Sequence, residues 1–170
     1  MKAAKPRIVG PKDGKLADLM SIGARLMVTK DDSGGGFSLV EHPMPPRALA
    51  APLHRHSRED EYSYVLEGRL GALLGEEVVC GEVGDLVFKP RDQWHTFWNA
   101  GDEPARILEI ISPGGFEGYF DQLGEMLSGG EFTPEKAVEL AGRYGLEAKP
   151  ETIPTLCEEH GLRHPLVTGP

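Results

Sequence analysis

The stretch "PLHRHSREDEYSYVLEG" (residues 52–68) decides how the chain is read. It sets His54 and His56 one residue apart and follows them with Arg58, Glu59, Asp60 and Glu61. It then runs through two tyrosines, Val65 and Leu66 to Gly68. In a strand, residues i and i+2 share a face, so the two imidazoles point together, about 7 Å apart along the backbone. Glu61 lies five residues beyond His56, on the opposite face of an unbroken strand. The polar "SRED" interrupts the strand, and a turn there brings Glu61 back to the histidine side. From Glu61 the same face continues through Ser63 and Val65, while Tyr62, Tyr64 and Leu66 share the other. Two readings follow: a charged loop leading into a buried strand, or three ligands of a metal ion that lacks a fourth.

A second stretch, "GDLVFKPRDQWHTFWN" (84–99), offers the fourth. A strand over 85–89 ends at Pro90, turns through Arg91–Gln93 and returns with His95, Phe97 and Asn99 on one face. Inside a small barrel, His95 can face His54, His56 and Glu61 from a nearby strand.

The surrounding chain supports such a barrel. Short apolar runs rich in β-branched or aromatic residues occur at 21–30, 36–42, 48–56, 61–68, 69–75, 77–82, 85–90, 95–100 and 105–111. Turn-forming segments separate them, among them "DDSGGG", "GEVGD" and "NAGDEP". With no helix between strands, an antiparallel sandwich or barrel is expected rather than a parallel α/β sheet. Near residue 113 the spacing becomes helical: Phe116, Tyr119, Phe120, Leu123 and Leu127 form one helix face. Thr133 and Pro134 read as N-cap and first helical residue, and Gly145 as the stop of that second helix. Residues 151–170 read as a short helix and tail. The expectation is one domain over 1–170: an all-β barrel at about 20–112 with a short helical appendage over about 113–160. The appendage is too small to fold alone, so its apolar face must cover one sheet or a second subunit.

Composition narrows the function classes. The chain has 170 residues, 39% of them apolar and 26% charged, and a net charge of −9 from 18 basic and 27 acidic residues. That balance argues against nucleic acid and anionic membrane surfaces, which need basic patches. No window approaches the roughly 18 uninterrupted apolar residues of a membrane-spanning helix. The basic start "MKAAKPRIVGPKDGK" has no apolar core of a secretory signal. Cys80 and Cys157 are far apart and read as reduced thiols of a cytoplasmic protein.

The two stretches together resemble the cupins, jelly-roll barrels that commonly bind one metal. The first cupin motif is matched by His54, His56, Glu61 and Gly68 with its spacers intact, although Ala48 stands where a leading glycine is usual. The second is matched by Gly84, Pro90, His95 and Asn99, with Asp92 in place of the turn glycine. Asp tolerates turn conformations, so the turn is expected to survive. The resemblance implies that His54, His56, Glu61 and His95 hold one divalent transition metal ion. Three neutral imidazoles and a carboxylate suit Fe, Mn, Ni, Co or Cu, and no nearby thiolate favours structural zinc.

The run "EIISPGGFEGYF" with "ELAGRYGLE" is similar to the C-terminal helices of bacterial quercetin 2,3-dioxygenase-like cupins. That likeness implies a metal-dependent dioxygenase that takes O2 and a flavonol-like or other enolisable small molecule, with Glu61 as ligand and proton acceptor. A cupin isomerase or epimerase working without O2, and a non-catalytic small-molecule-binding cupin, are the alternatives. It also implies a homodimer.

Lesser expectations complete the reading. Val65 and Phe97 line the substrate pocket, and Tyr62, Tyr64, Trp94 and Trp98 lie on the outer face. Glu109 is either an inward polar group or part of an edge or partner salt bridge. Glu41 and His42, at the end of a strand, read as a solvated loop with a pocket-rim role as the alternative, and Glu59 and Asp60 read as solvated rather than ligating. His160 and His164 have metal-capable helical spacing, but Gly161 and Pro165 argue against a continuous helix.

Overall fold

The structure, a computed structural model, describes residues 5–169. Residues 1–4, the start of the basic N-terminal stretch, and Pro170 lie outside them. The strands are β1 (Lys15–Asp18), β2 (Gly23–Val28), β3 (Ser38–Met44), β4 (Leu53–His56), β5 (Asp60–Glu67), β6 (Leu70–Leu74), β7 (Glu77–Gly81), β8 (Leu86–Lys89), β9 (His95–Asn99), β10 (Ala105–Ser112) and β11 (Leu146–Lys149). The helices are α1 (Lys30–Ser33), α2 (Glu117–Ser128), α3 (Pro134–Arg143), α4 (Ile153–His160) and α5 (Pro165–Thr168).

The strands form two antiparallel sheets. One has the order β1-β2-β3-β10-β5-β8 and the other β11-β4-β9-β6-β7. They face each other as a jelly-roll barrel, a double-stranded β-helix. Period-two alternation sets which side chains enter it. In β5, Glu61, Ser63 and Val65 are buried, and Tyr62 and Tyr64 face outward beside Phe88 and Leu86 of β8. In β10 the inward set is Ala105, Ile107, Glu109 and Ile111. Val65, Leu70, Ala72, Phe97 and Ile107 fill one end of the interior.

The helical segment closes the barrel. α2 packs on β1 and β3, and Phe116 joins Ala17, Ala24, Val40 and Ile111 in a second apolar cluster. Tyr119 and Phe120 pack against this cluster, as expected for the predicted stripe. Thr133 caps α3 by accepting from the Lys136 N–H, with Pro134 first in the helix. Gly145 turns the chain with φ +70°.

Three expectations need correction. Residues 146–149, read within a helical region, form β11, which pairs with the histidine strand β4 through Ala148 opposite His54. Helical propensity there is overridden by the free backbone edge of β4. The strand expected over 48–56 is confined to β4, with Ala48 and Leu49 in isolated bridges, and the barrel gains β1 ahead of its expected start. Trp98 does point away from the barrel interior, but it is buried beneath α4 and stacks on His160 at 4.6 Å. Gly161 ends α4 in the left-handed region and His164 caps α5, so these histidines belong to different helices.

Trp98 lies flat over Gly71, where an added Cβ would sit 2.1 Å from the indole Nε1. A Gly71→Ala substitution must push the indole off its seat under α4. Overpacking of this kind typically costs about 1–3 kcal/mol. Chemical denaturation should show that loss, with Trp fluorescence reporting the displaced ring.

Candidate metal centre

The four predicted ligands come from three strands. β4 supplies His54 and His56, β5 supplies Glu61 and β9 supplies His95, which lies directly opposite His54 in register. All four are buried, and one ligand atom from each lies within 4.8 Å of the others. Among the described residues this is the cluster of histidine, cysteine and carboxylate groups that can hold a metal ion. The hairpin that returns the chain to His95 turns at Asp92, which adopts φ +64° in place of the usual glycine. Its N–H donates to the His56 carbonyl at 2.7 Å, tying the two ligand-bearing segments together.

Hydrogen bonds fix the tautomers of two of the imidazoles, His54 and His95. His54 Nδ1 lies 2.8 Å from the Pro52 carbonyl, and His95 Nδ1 lies 2.9 Å from the Gln93 carbonyl. A carbonyl only accepts, so each Nδ1 carries the proton and each Nε2 presents a lone pair. His95 Nε2 then meets Glu61 Oε2 at 3.2 Å, while His56 Nε2 meets Glu61 Oε1 at 3.4 Å. Lone pairs facing one another in a buried space need a cation or a proton between them. Burial works against the proton on two of the rings. It is the largest effect holding the His54 imidazole well below its ordinary value, and it holds His56 down to about 4. Both His56 nitrogens lack a hydrogen-bond partner. Neutral imidazoles with converging lone pairs and one carboxylate are the donor set a divalent transition metal takes.

Glu61 completes the set as a carboxylate. Burial alone would push its pKa up, but His56, Lys89 and His95 outweigh burial and hold it well below the usual range. Lys89, directly opposite Glu61 in register, is fully buried with Nζ 3.1 Å from Glu61 Oε2. Its Nζ also lies 2.9 Å from Glu109 Oε2, which accepts from Ser63 Oγ at 2.7 Å. Glu109 is therefore an inward polar group, not an edge or partner ion pair.

Other residues read as solvated are buried as well. Glu59 sits against the site with Oε2 3.8 Å from His56 Nδ1, and burial raises its pKa to about 7. Asp60 alone of that run pairs outward, with Arg91 at 2.8 Å. Glu41 is bound by Arg25 at 2.7 Å. His42 lies between Phe97 and Phe120, with Nδ1 2.8 Å from the Gly23 carbonyl. Lys89 and His42 each occupy the inward phase of a strand, and that alternation was the available signal for both.

Of the two pocket candidates, Val65 lies in the apolar cluster, and Phe97 also faces Lys89 Nζ, 4.4 Å from its ring centroid. Phe116 places its ring edge-on to His56 at 4.4 Å, so α2 shields the site. An open groove of about 660 Å³ lined by Ile22, Pro43, Pro45 and Pro104 shares no residue with the histidine cluster.

Comparison with known proteins agrees with this geometry. The cupin domain profile matches residues 41–111. A polyketide synthase protein of Streptomyces cyaneus, CurC, is 30% identical over 115 residues, covering 66% of this chain and 73% of CurC. The chain belongs to the cupin superfamily. It is also 30% identical over 89 residues to the tetracenomycin polyketide synthase protein TcmJ of Streptomyces glaucescens, covering 52% of this chain and 60% of TcmJ. Quercetin 2,3-dioxygenase of Aspergillus japonicus is 34% identical over 116 residues, 65% of this chain but only 33% of that enzyme. Among solved structures, the polyketide cyclase RemF of Streptomyces resistomycificus superposes with a TM-score of 0.54 at 26% identity, covering 64% of this cupin and 80% of RemF.

Two outcomes follow. Asp92→Gly should stabilise the hairpin by up to about 1 kcal/mol in equilibrium denaturation, because glycine adopts positive φ without steric cost. Burial holds the His42 pKa down to about 4. The unfolded chain takes up a proton near pH 6.5 that the folded chain refuses until about pH 4, so stability is lost as pH falls through that window. Relative to wild type, His42→Phe should flatten the stability–pH curve between pH 7 and 4 by on the order of 3 kcal/mol.

Proposed function

We propose that this cupin is a metal-dependent enzyme acting on an enolisable aromatic or polyketide-type small molecule, with O2-dependent cleavage as its leading reaction. The observation that carries the reading is the convergence of one ligand atom each from His54, His56, Glu61 and His95, all within 4.8 Å of one another in a buried space. Those four residues would hold one ion, with His54 and His95 fixed by their backbone carbonyl partners. The ion would act as a Lewis acid that lowers the pKa of a bound hydroxyl or enol.

The remaining chemistry belongs to the chain. Glu61 is kept ionised, so a substrate hydroxyl entering beside it meets an acceptor that is already deprotonated. Its low pKa makes it a weak base, better suited to accepting a hydrogen bond than to retaining a proton. Phe97 and Phe116 exclude water on two sides and offer apolar surface to an aromatic substrate. Val65 extends that surface deeper into the barrel. The likeness to quercetin 2,3-dioxygenase supports an oxygen-dependent reaction.

A second reading, cyclisation or isomerisation of a polyketide-type substrate without O2, is favoured by the likeness to TcmJ, CurC and RemF. Both readings share substrate chemistry and differ in their need for oxygen.

Elemental analysis of purified protein should find about one transition metal per chain, and His95→Ala should lower occupancy more than tenfold. An oxygen electrode with flavonols and other enolisable aromatics should then record uptake matched to substrate loss. Turnover under strict anaerobiosis would favour the second reading. A fully loaded protein inert in both assays would leave a binding role only.

A further inference from the structure

Lys89 is an unusual presence in the barrel: a fully buried ammonium beside a ligand set that is meant to attract a cation. Its place is set by strand register. It stands opposite Glu61 across β5 and β8, while Glu109 stands opposite Ser63 across β5 and β10. Lys89 Nζ therefore reaches Glu61 Oε2 on its own row and Glu109 Oε2 diagonally on the next, and its remaining side faces the Phe97 ring. An ammonium has three N–H donors, and two carboxylates and one aromatic face account for its surroundings. That leaves no free donor for a substrate, so Lys89 is poorly placed to bind one. Glu109 is in turn held by Ser63 Oγ.

The two Glu61 oxygens differ as a result. Each faces one imidazole, Oε2 the His95 Nε2 at 3.2 Å and Oε1 the His56 Nε2 at 3.4 Å, but only Oε2 is also claimed by Lys89, at 3.1 Å. We propose that Lys89, shared between Glu61 and Glu109, is a positioning residue that occupies Glu61 Oε2 and leaves Glu61 a one-oxygen donor to the metal. A carboxylate free to chelate through both oxygens would fill an additional coordination position. Holding one oxygen away keeps that position for substrate or O2. The inference rests on the metal-centre reading above.

Lys89 competes with the ion for Glu61, and Glu109 moderates that competition by drawing Lys89 away. The two residues should therefore act in opposite directions. Lys89→Met keeps the length and the contact with Phe97 but frees Oε2. Glu109→Gln keeps the shape but leaves Lys89 with Glu61 as its one charged partner.

The test is Co(II) titration of the full-length wild type and both variants by calorimetry, with visible absorption of each loaded protein. Lys89→Met should bind Co(II) about tenfold more tightly, with weaker d–d bands as the coordination number rises. Glu109→Gln should bind about tenfold more weakly, with its band intensity retained. If both variants weaken binding, or neither changes affinity or spectrum, Lys89 is a packing residue and the inference is overturned while the metal centre stands. If Lys89→Met does not fold, Glu109→Gln decides alone, and unchanged affinity overturns the inference. If wild type binds no Co(II), the metal-centre reading fails and this inference falls with it.

Discussion

Burying an ionised Glu61 is the constraint on which the rest of this structure depends. A carboxylate removed from water carries a large desolvation penalty unless cations or donors surround it. The barrel meets that demand with the Lys89 ammonium on one side and, on the other, with three imidazoles placed to share a bound cation with it. Lys89 then imposes a demand of its own, met by Glu109 and, behind it, Ser63. Charge compensation thus runs across the inner face of three strands, β8, β5 and β10, and a register slip of one residue would turn every member outward. The same register puts Ile111, Val65 and Ile107 inside, so apolar packing and ionic pairing specify one alignment.

Much of this was legible in the residues. The alternation Glu61, Ser63, Val65 against Tyr62, Tyr64 gave the inward face of β5, and the positions of His54, His56 and His95 marked them as candidate ligands that the fold brings together. Asp92 was expected to take the turn usually made by glycine, and it does. Thr133 and Pro134 start α3 where local capping chemistry places them. These features are local, decided by strand period, turn preference or a cap.

What escaped the sequence reading was settled by tertiary contact. Lys89 and Glu109 look like ordinary strand charges until the register sets them together. Glu59 sits in a run of four charged residues and resembles its solvated neighbours Arg58 and Asp60, yet like Glu61 it is turned in toward His56. His42 and Glu41 read as the end of a strand beside prolines, whereas β3 runs on to Met44, and their burial depends on α2 and on Arg25 respectively. Residues 146–149 carry no strong β signal and become a strand because β4 offers an unpaired edge.

The placement of β11 has a wider meaning. β4, the strand bearing two of the candidate ligands, is bordered by β9 on one side and by β11 on the other. Without β11, the backbone amides and carbonyls on that side of His54 and His56 would form an open template for strands of other molecules. The segment after α3 is thus a clasp on the ligand strand. Its unzipping would admit solvent exchange at the β4 amides and seed intermolecular pairing at the centre of the site, so resistance to aggregation and integrity of the site rest on the same four residues.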